Sequence, residues 1–148
     1  ATLLTIFNVF GIPAAFAAPL IYSKIANKKL AMLVLHIPLI IAIPGFVFAT
    51  TELPYVWAVC MGLGQGSMIS IALTLVGMRG ADPQTSARLS GMAQSVGYLF
   101  AAIGPVLFGA LHDLLGDWQV ALYFLFVVVA VQLCASMRAG SSKKIGGD

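Results

Sequence analysis

Charge is scarce in this sequence. Asp, Glu, Lys and Arg make up 9% of its 148 residues, against about 25% in an ordinary globular domain. Apolar residues make up 60%, and mean hydropathy is +0.99. A water-soluble chain of this size has no core large enough to hide that much apolar surface, so the solvent must be lipid. Cysteine is scarce too. Cys60 and Cys134 both lie inside long apolar runs, which argues against a disulfide and reads them as small apolar residues. There is no nucleophile–base pair, no paired catalytic carboxylates and no cluster with metal-ligand spacing. Enzyme chemistry, a metal and a cofactor therefore have no support. The net charge of +3 is too small to point to nucleic acid.

What is present is apolar length. Five stretches, about 2–22, 30–51, 53–78, 89–111 and 118–137, contain no Asp, Glu, Lys or Arg. Each has roughly the 20 residues that a helix needs to cross about 30 Å of hydrocarbon. A single charge at a helix centre costs about 2.5–3.5 kcal/mol on insertion scales, so five clean runs predict an all-α integral membrane protein with five spans. The runs lack the alternation of barrel strands. Residues 139–148 read as a flexible tail.

The basic residues fall after the first, third and fifth spans: Lys24, Lys28, Lys29, then Arg79 and Arg88, then Arg138, Lys143 and Lys144. With five spans, all of them lie on one face. Glu52, His112, Asp113 and Asp117 lie on the other. The positive-inside rule makes the basic face cytoplasmic, which puts the C-terminus inside and the N-terminus outside. The chain opens directly into apolar sequence without Met or a signal-type leader, so a fragment is expected, preceded by at least one more helix.

Helices associate in lipid through close packing, which small residues at four-residue spacing permit. Ala93, Gly97, Ala101, Pro105 and Gly109 form such a stripe in the fourth span, with Gly104 nearby and Ser90, Gln94 and Tyr98 alongside. Gly62, Gly66, Ser70 and Thr74 form another in the third, flanked by Gly64, Gln65 and Ser67. The first span carries Asn8, Gly11 and several alanines. The second and fifth are bulkier and read as peripheral, lipid-facing helices. Spans one and four share Gly-x6-(Ala/Gly)-Pro while crossing in opposite directions, the pattern of an inverted repeat such as transporters contain.

The run "GLGQGSMISIALTLVGMRG…ARLSGMAQSVGYLFAAIGPVLFGALHD" resembles the C-terminal half of a major facilitator superfamily transporter, and more narrowly the cyanate and nitroimidazole transporter family. The likeness is most specific over residues 60–118. It implies that the spans are helices eight to twelve of twelve, a partial six-helix bundle, and that the N-terminal half is missing. Helices matching the first, third and fourth spans would line or border a central cavity. The family implication and the polar pattern together give Gln65, Ser67, Ser70, Asn8, Gln94 and Tyr98 as cavity candidates. Gly62, Gly64, Gly66, Gly97, Gly104, Pro105 and Gly109 become packing and hinge candidates. Lys24, Lys28, Lys29, Arg79 and Arg88 become candidates for an inner gate or for anchoring. Ser23 stands where the superfamily often has an Asp, which weakens the gating ion pair tied to that Asp.

The expected function is secondary transport of a small solute, a small anion such as cyanate or a small polar organic molecule, by alternating access. The bilayer, the solute, a proton as coupling ion and the missing half are the expected partners, and the bacterial inner membrane is the expected location. No acidic residue lies inside a span, so a coupling carboxylate has to come from the missing part. The rival is a membrane scaffold whose small-residue faces only bind partner helices. Lone His36 is read as bonded to a neighbour. His112 and Asp113 are read as interfacial capping, Thr85 or Ser86 as the cap of the fourth helix, and Gln132 as bonding locally or snorkelling. "GLGQG" lies mid-membrane without a preceding strand, which rules out the nucleotide reading.

Overall fold

The computed structural model describes residues 1–49 and 51–140. The sequence places its tail expectation largely beyond them, at 139–148. Five helices follow in order: α1 (Thr2–Lys24), α2 (Lys28–Phe48), α3 (Pro54–Arg79), α4 (Pro83–Leu115) and α5 (Trp118–Ala139). All five are long and apolar enough to span a membrane, and the expected runs fall within a few residues of them. The chain is thus an all-α, multi-pass membrane protein. At 33 residues, α4 extends about 50 Å at 1.5 Å per residue, well beyond the hydrocarbon core. Its first turn carries the polar residues Gln84, Thr85 and Ser86.

Local chemistry sets the ends. The Asn27 carboxamide accepts from the Lys29 and Leu30 amides to start α2. Asp117 accepts from the Gln119 amide to start α5. α4 starts on Asp82, whose carboxylate accepts from the Thr85 amide and the Thr85 hydroxyl, 2.8 Å each. This corrects the expectation that Thr85 or Ser86 is the cap: a carboxylate at Ncap outcompetes hydroxyls inside the first turn. α4 stops at Gly116, in the left-handed region at φ 70°, where its N–H reaches the His112 carbonyl. Only glycine adopts that conformation without penalty. The His112 ring packs edge-on against Trp118, 4.0 Å between centroids, which braces the turn into α5.

Three observations set the packing. First, α1 and α3 run parallel and nearly touch. A Cβ placed on Gly62 would collide with the carbonyl of Phe7, and one on Gly66 with the carbonyl of Gly11. Second, α2 runs antiparallel to α3, with Leu39 over Gly64 and the Trp57 indole over Gly45. Trp57 also donates to the Ala49 carbonyl, 2.9 Å, and closes the end of α2. Third, α2 runs antiparallel to α5, with Phe48 beside Tyr123, 6.4 Å between rings, and Gly140 beside Lys28 and Met32.

α2 is therefore the most buried of the five helices. Ala31, Met32, Leu35, His36, Leu39, Ala42 and Ile43 are all buried. This overturns its reading as a lipid-facing helix. Bulky apolar residues suit lipid and protein interior equally, so composition does not separate the two in a membrane. α4 shows the converse. No residue in it is buried, and a Cβ on Gly91, Gly97, Gly104 or Gly109 would meet nothing within 4 Å.

Candidate functional site

The close α1–α3 approach splays side chains on either side of the seam. A groove of about 270 Å³ opens there, lined by Asn8 and Gly11 from α1 and Gln65 and Gly66 from α3. Next to it lies a second cavity of about 430 Å³ between α1, α2, α3 and α5. Phe7, Gln65 and Ile69 line both. A third cavity, about 410 Å³, lies towards the basic end, and Met68 and Gln132 line both it and the second. Arg79 and Ser136 stand at its far end among apolar residues. The three neighbour one another through shared lining residues, and each is sparsely polar.

Gln65 lies where two of these spaces meet, near the middle of α3. Asn8 shares its groove, with the Asn8 amide donating to the Leu4 carbonyl at 2.7 Å. The other candidates fall apart from this pair. Ser67, two residues from Gln65, points to the opposite side of the helix, since two residues turn it by about 200°. It is buried, and its hydroxyl donates to the Leu63 carbonyl at 2.8 Å. Ser70 is half-buried and lies outside the three cavities. Gln94 is exposed and donates to the Ser90 hydroxyl at 2.8 Å. Tyr98 is 71% exposed. Both stand on the open surface of α4.

Gln132 is the residue that sequence reasoning passed over. It is half-buried on α5 and borders two cavities, rather than snorkelling towards a membrane surface. A lone Gln in a bulky helix gives no signal of this. The signal lies in the register between α5 and α2, which only the fold supplies.

Two of the basic residues, Lys28 and Arg79, cap helices. Lys28 Nζ donates to the Tyr22 carbonyl at 2.8 Å, to Ile25 at 2.9 Å and to Ser23 at 3.4 Å, and sits 4.7 Å from the centre of the Tyr22 ring. It thereby caps α1 with a side chain from α2. The Arg79 guanidinium donates to the Ala139 carbonyl at the end of α5. Both cations sit on the negative end of a helix dipole. Ser23, in the position where an acidic residue was looked for, donates to the Leu20 carbonyl at 2.8 Å.

His36 is buried. Its Nδ1–H donates to the Met32 carbonyl at 2.8 Å, the neighbour contact expected of it. Its Nε2 has no partner among the described residues.

Compared with known proteins, the chain is 32% identical over 144 residues to the Bacillus subtilis protein named uncharacterized transporter YycB, covering 97% of this chain and 36% of that one. It is 44% identical over 94 residues to a Thauera aromatica permease whose name proposes anionic 4-hydroxy-benzoate as its solute, covering 64% and 57%. It is 40% identical over 89 residues to the 2-nitroimidazole transporter of Escherichia coli, covering 60% and 23%. The chain thus spans roughly a quarter to a little over half of these relatives' lengths. No family model matches it, and no solved structure matches it. These relatives are named as transporters or permeases, in agreement with the resemblance read from its motifs.

Proposed function

We propose that these five helices form part of a secondary transporter that carries a small anionic or polar solute by alternating access. The observation that carries this reading is the placement of Gln65. It stands mid-membrane on a cavity beside a seam where glycines bring two backbones together. Such a seam holds two helices rigidly while leaving a polar group open to a solute. The relatives' names support transport, and neither they nor the geometry favours a scaffold.

The remaining parts of the transporter complete the cavity and cover α4. Gln94, Tyr98 and the glycines Gly97, Gly104 and Gly109 stand on a surface that this chain leaves open, and the other half of the transporter is the partner that seals against it. If a proton drives the cycle, its carboxylate lies outside these spans. The membrane is the bacterial inner membrane, with the basic face and the C-terminus on the cytoplasmic side. The distribution of Lys24, Lys28, Lys29, Arg79, Arg88 and Arg138 along one end of the bundle supports that orientation.

The test is accessibility. A single cysteine replaces Gln65 in the complete gene product lacking Cys60 and Cys134. The expected result is labelling by a membrane-impermeant thiol reagent, with protection by a transported solute from a panel that includes cyanate, 4-hydroxybenzoate and 2-nitroimidazole. A cysteine that no reagent reaches in a correctly inserted protein would make Gln65 a packing group and favour the scaffold.

A further inference from the structure

Two neighbouring helices end alike at the basic end of the bundle. α2, although the most buried helix, keeps one outward stripe. Its exposed residues Leu33, Ile37 and Ile40 lead down to exposed Lys29. On α5 the exposed residues Val127, Val131 and Cys134 lead to exposed Arg138. Steps of three and four residues keep each set on one helix face.

The two stripes lie side by side. α2 and α5 pack antiparallel, from Phe48 beside Tyr123 to Gly140 beside Lys28 and Met32. α2 turns Leu39 and Gly45 towards α3, and α5 turns Leu125 and Gln132 into the cavity beside α3. Both stripes therefore stand on the far side of the pair from α3. A Cβ on Gly140 would lie 3.4 Å from the Lys28 carbonyl oxygen. Lys29 follows Lys28 directly, and Arg138 precedes Gly140 by two residues. At about 1.5 Å of rise per residue, the two cations lie within about 2 Å of one depth.

Neither charge is spent inside the protein. Lys28 and Arg79 give theirs to helix-end carbonyls. Lys29 and Arg138 have no side-chain partner among the described residues. The acid of this end, among the described residues, is Asp82, and its carboxylate is engaged in capping α4.

We infer that the basic ends of α2 and α5 form a site for an anionic phospholipid. Lys29 and Arg138 hold its phosphate, and an acyl chain lies along the apolar stripes above them. Packed helices stand about 8–10 Å apart, and Lys and Arg lay their stems on apolar surface while carrying the charge to the interface. Two such side chains can therefore converge on one head group. Any lipid supplies the chain; the charge selects. A zwitterionic head group brings a cation of its own, and no free carboxylate stands here to receive it. A net negative head group is attracted by both side chains, each adding to the preference. This site does not depend on what solute the protein carries.

The test uses the complete gene product in nanodiscs of phosphatidylcholine, with and without phosphatidylglycerol of the same acyl chains. Phosphatidylglycerol is expected to raise the melting temperature by a few degrees. Native mass spectrometry from an equal mixture of the two lipids is expected to show phosphatidylglycerol retained on the parent. Lys29→Gln and Arg138→Gln should each cut that preference about fivefold. Lys29→Arg and Arg138→Lys should keep it, as should Arg88→Gln at the α3–α4 corner. Equal preference in the parent and the Lys29→Gln/Arg138→Gln double variant would overturn the site, and so would equal melting of the parent in the two lipids. A double variant that melts early in phosphatidylcholine alone would make the two cations structural and overturn it as well. If soluble glycerol phosphate stabilised the parent as much as phosphatidylglycerol does, the site would belong to a free phosphate ester and not to a lipid.

Discussion

The α1–α3 seam makes a sharp prediction about single methyl groups. A Cβ added at Gly66 would lie 2.8 Å from both the carbonyl carbon and the Cα of Gly11, with the carbonyl oxygen nearer still. Ordinary contact begins at 3.4 Å. The obstacle is backbone, not a side chain that can swing aside, so the helices must separate. Opening such a seam by about 1 Å forfeits up to half of the dispersion energy of the facing atoms, and overpacking of this kind costs about 1–3 kcal/mol. That corresponds to a roughly 5- to 150-fold shift in the folding equilibrium. Gly11 is the control, because there the added carbon meets its nearest atom at 3.4 Å. The expected order of melting temperature in detergent is Gly11→Ala near the parent, with Gly66→Ala clearly below. Equal melting of G66A and the parent would refute the seam.

Three further predictions concern the helix ends and the buried imidazole. Lys28→Met strips the cap from three carbonyls of α1 and should lower the melting temperature more than Lys29→Met, whose side chain makes none of these bonds; equal effects would remove the capping role. The Thr85 amide and hydroxyl hold the Asp82 carboxyl below its usual range. That contribution is present above the unfolded pKa and is lost as pH falls through the depressed value. Protection factors of the amides at the start of α4, corrected for the intrinsic pH dependence of exchange, should therefore fall on acidification, and Asp82→Asn should abolish this fall. His36→Leu removes an imidazole whose Nε2 is unpartnered and keeps its bulk, so stability should hold or rise; abolished transport at parent-like stability would instead assign His36 a role in carrying protons.

The span count was legible because charge is excluded from each run so completely. The rank of the helices was not. Small residues correctly marked the α1–α3 seam, but the same rule gave α4 an interior place that this chain does not supply. It also passed over α2, whose packing uses Leu35, Leu39 and Ile43, residues that look the same against lipid. Gln65 was legible as a polar residue among glycines. Gln132 was not, because its place beside two cavities arises from the register of α5 against its neighbours. The basic residues were legible as a face, but their bonds to Tyr22 and Ala139 depend on which helix ends lie side by side.

The capping of α1 by Lys28 bears on how the protein is made. α1 ends in carbonyls that its own residues leave open, and the group that binds three of them arrives only with α2. α1 and α2 thus complete each other as a hairpin while the ribosome is still producing α3. The glycine seam, by contrast, joins α1 to α3 and has to wait, because synthesis runs in one direction. That close approach forms only when Gly62 and Gly66 emerge, and a ribosome pause inside α3 would delay it.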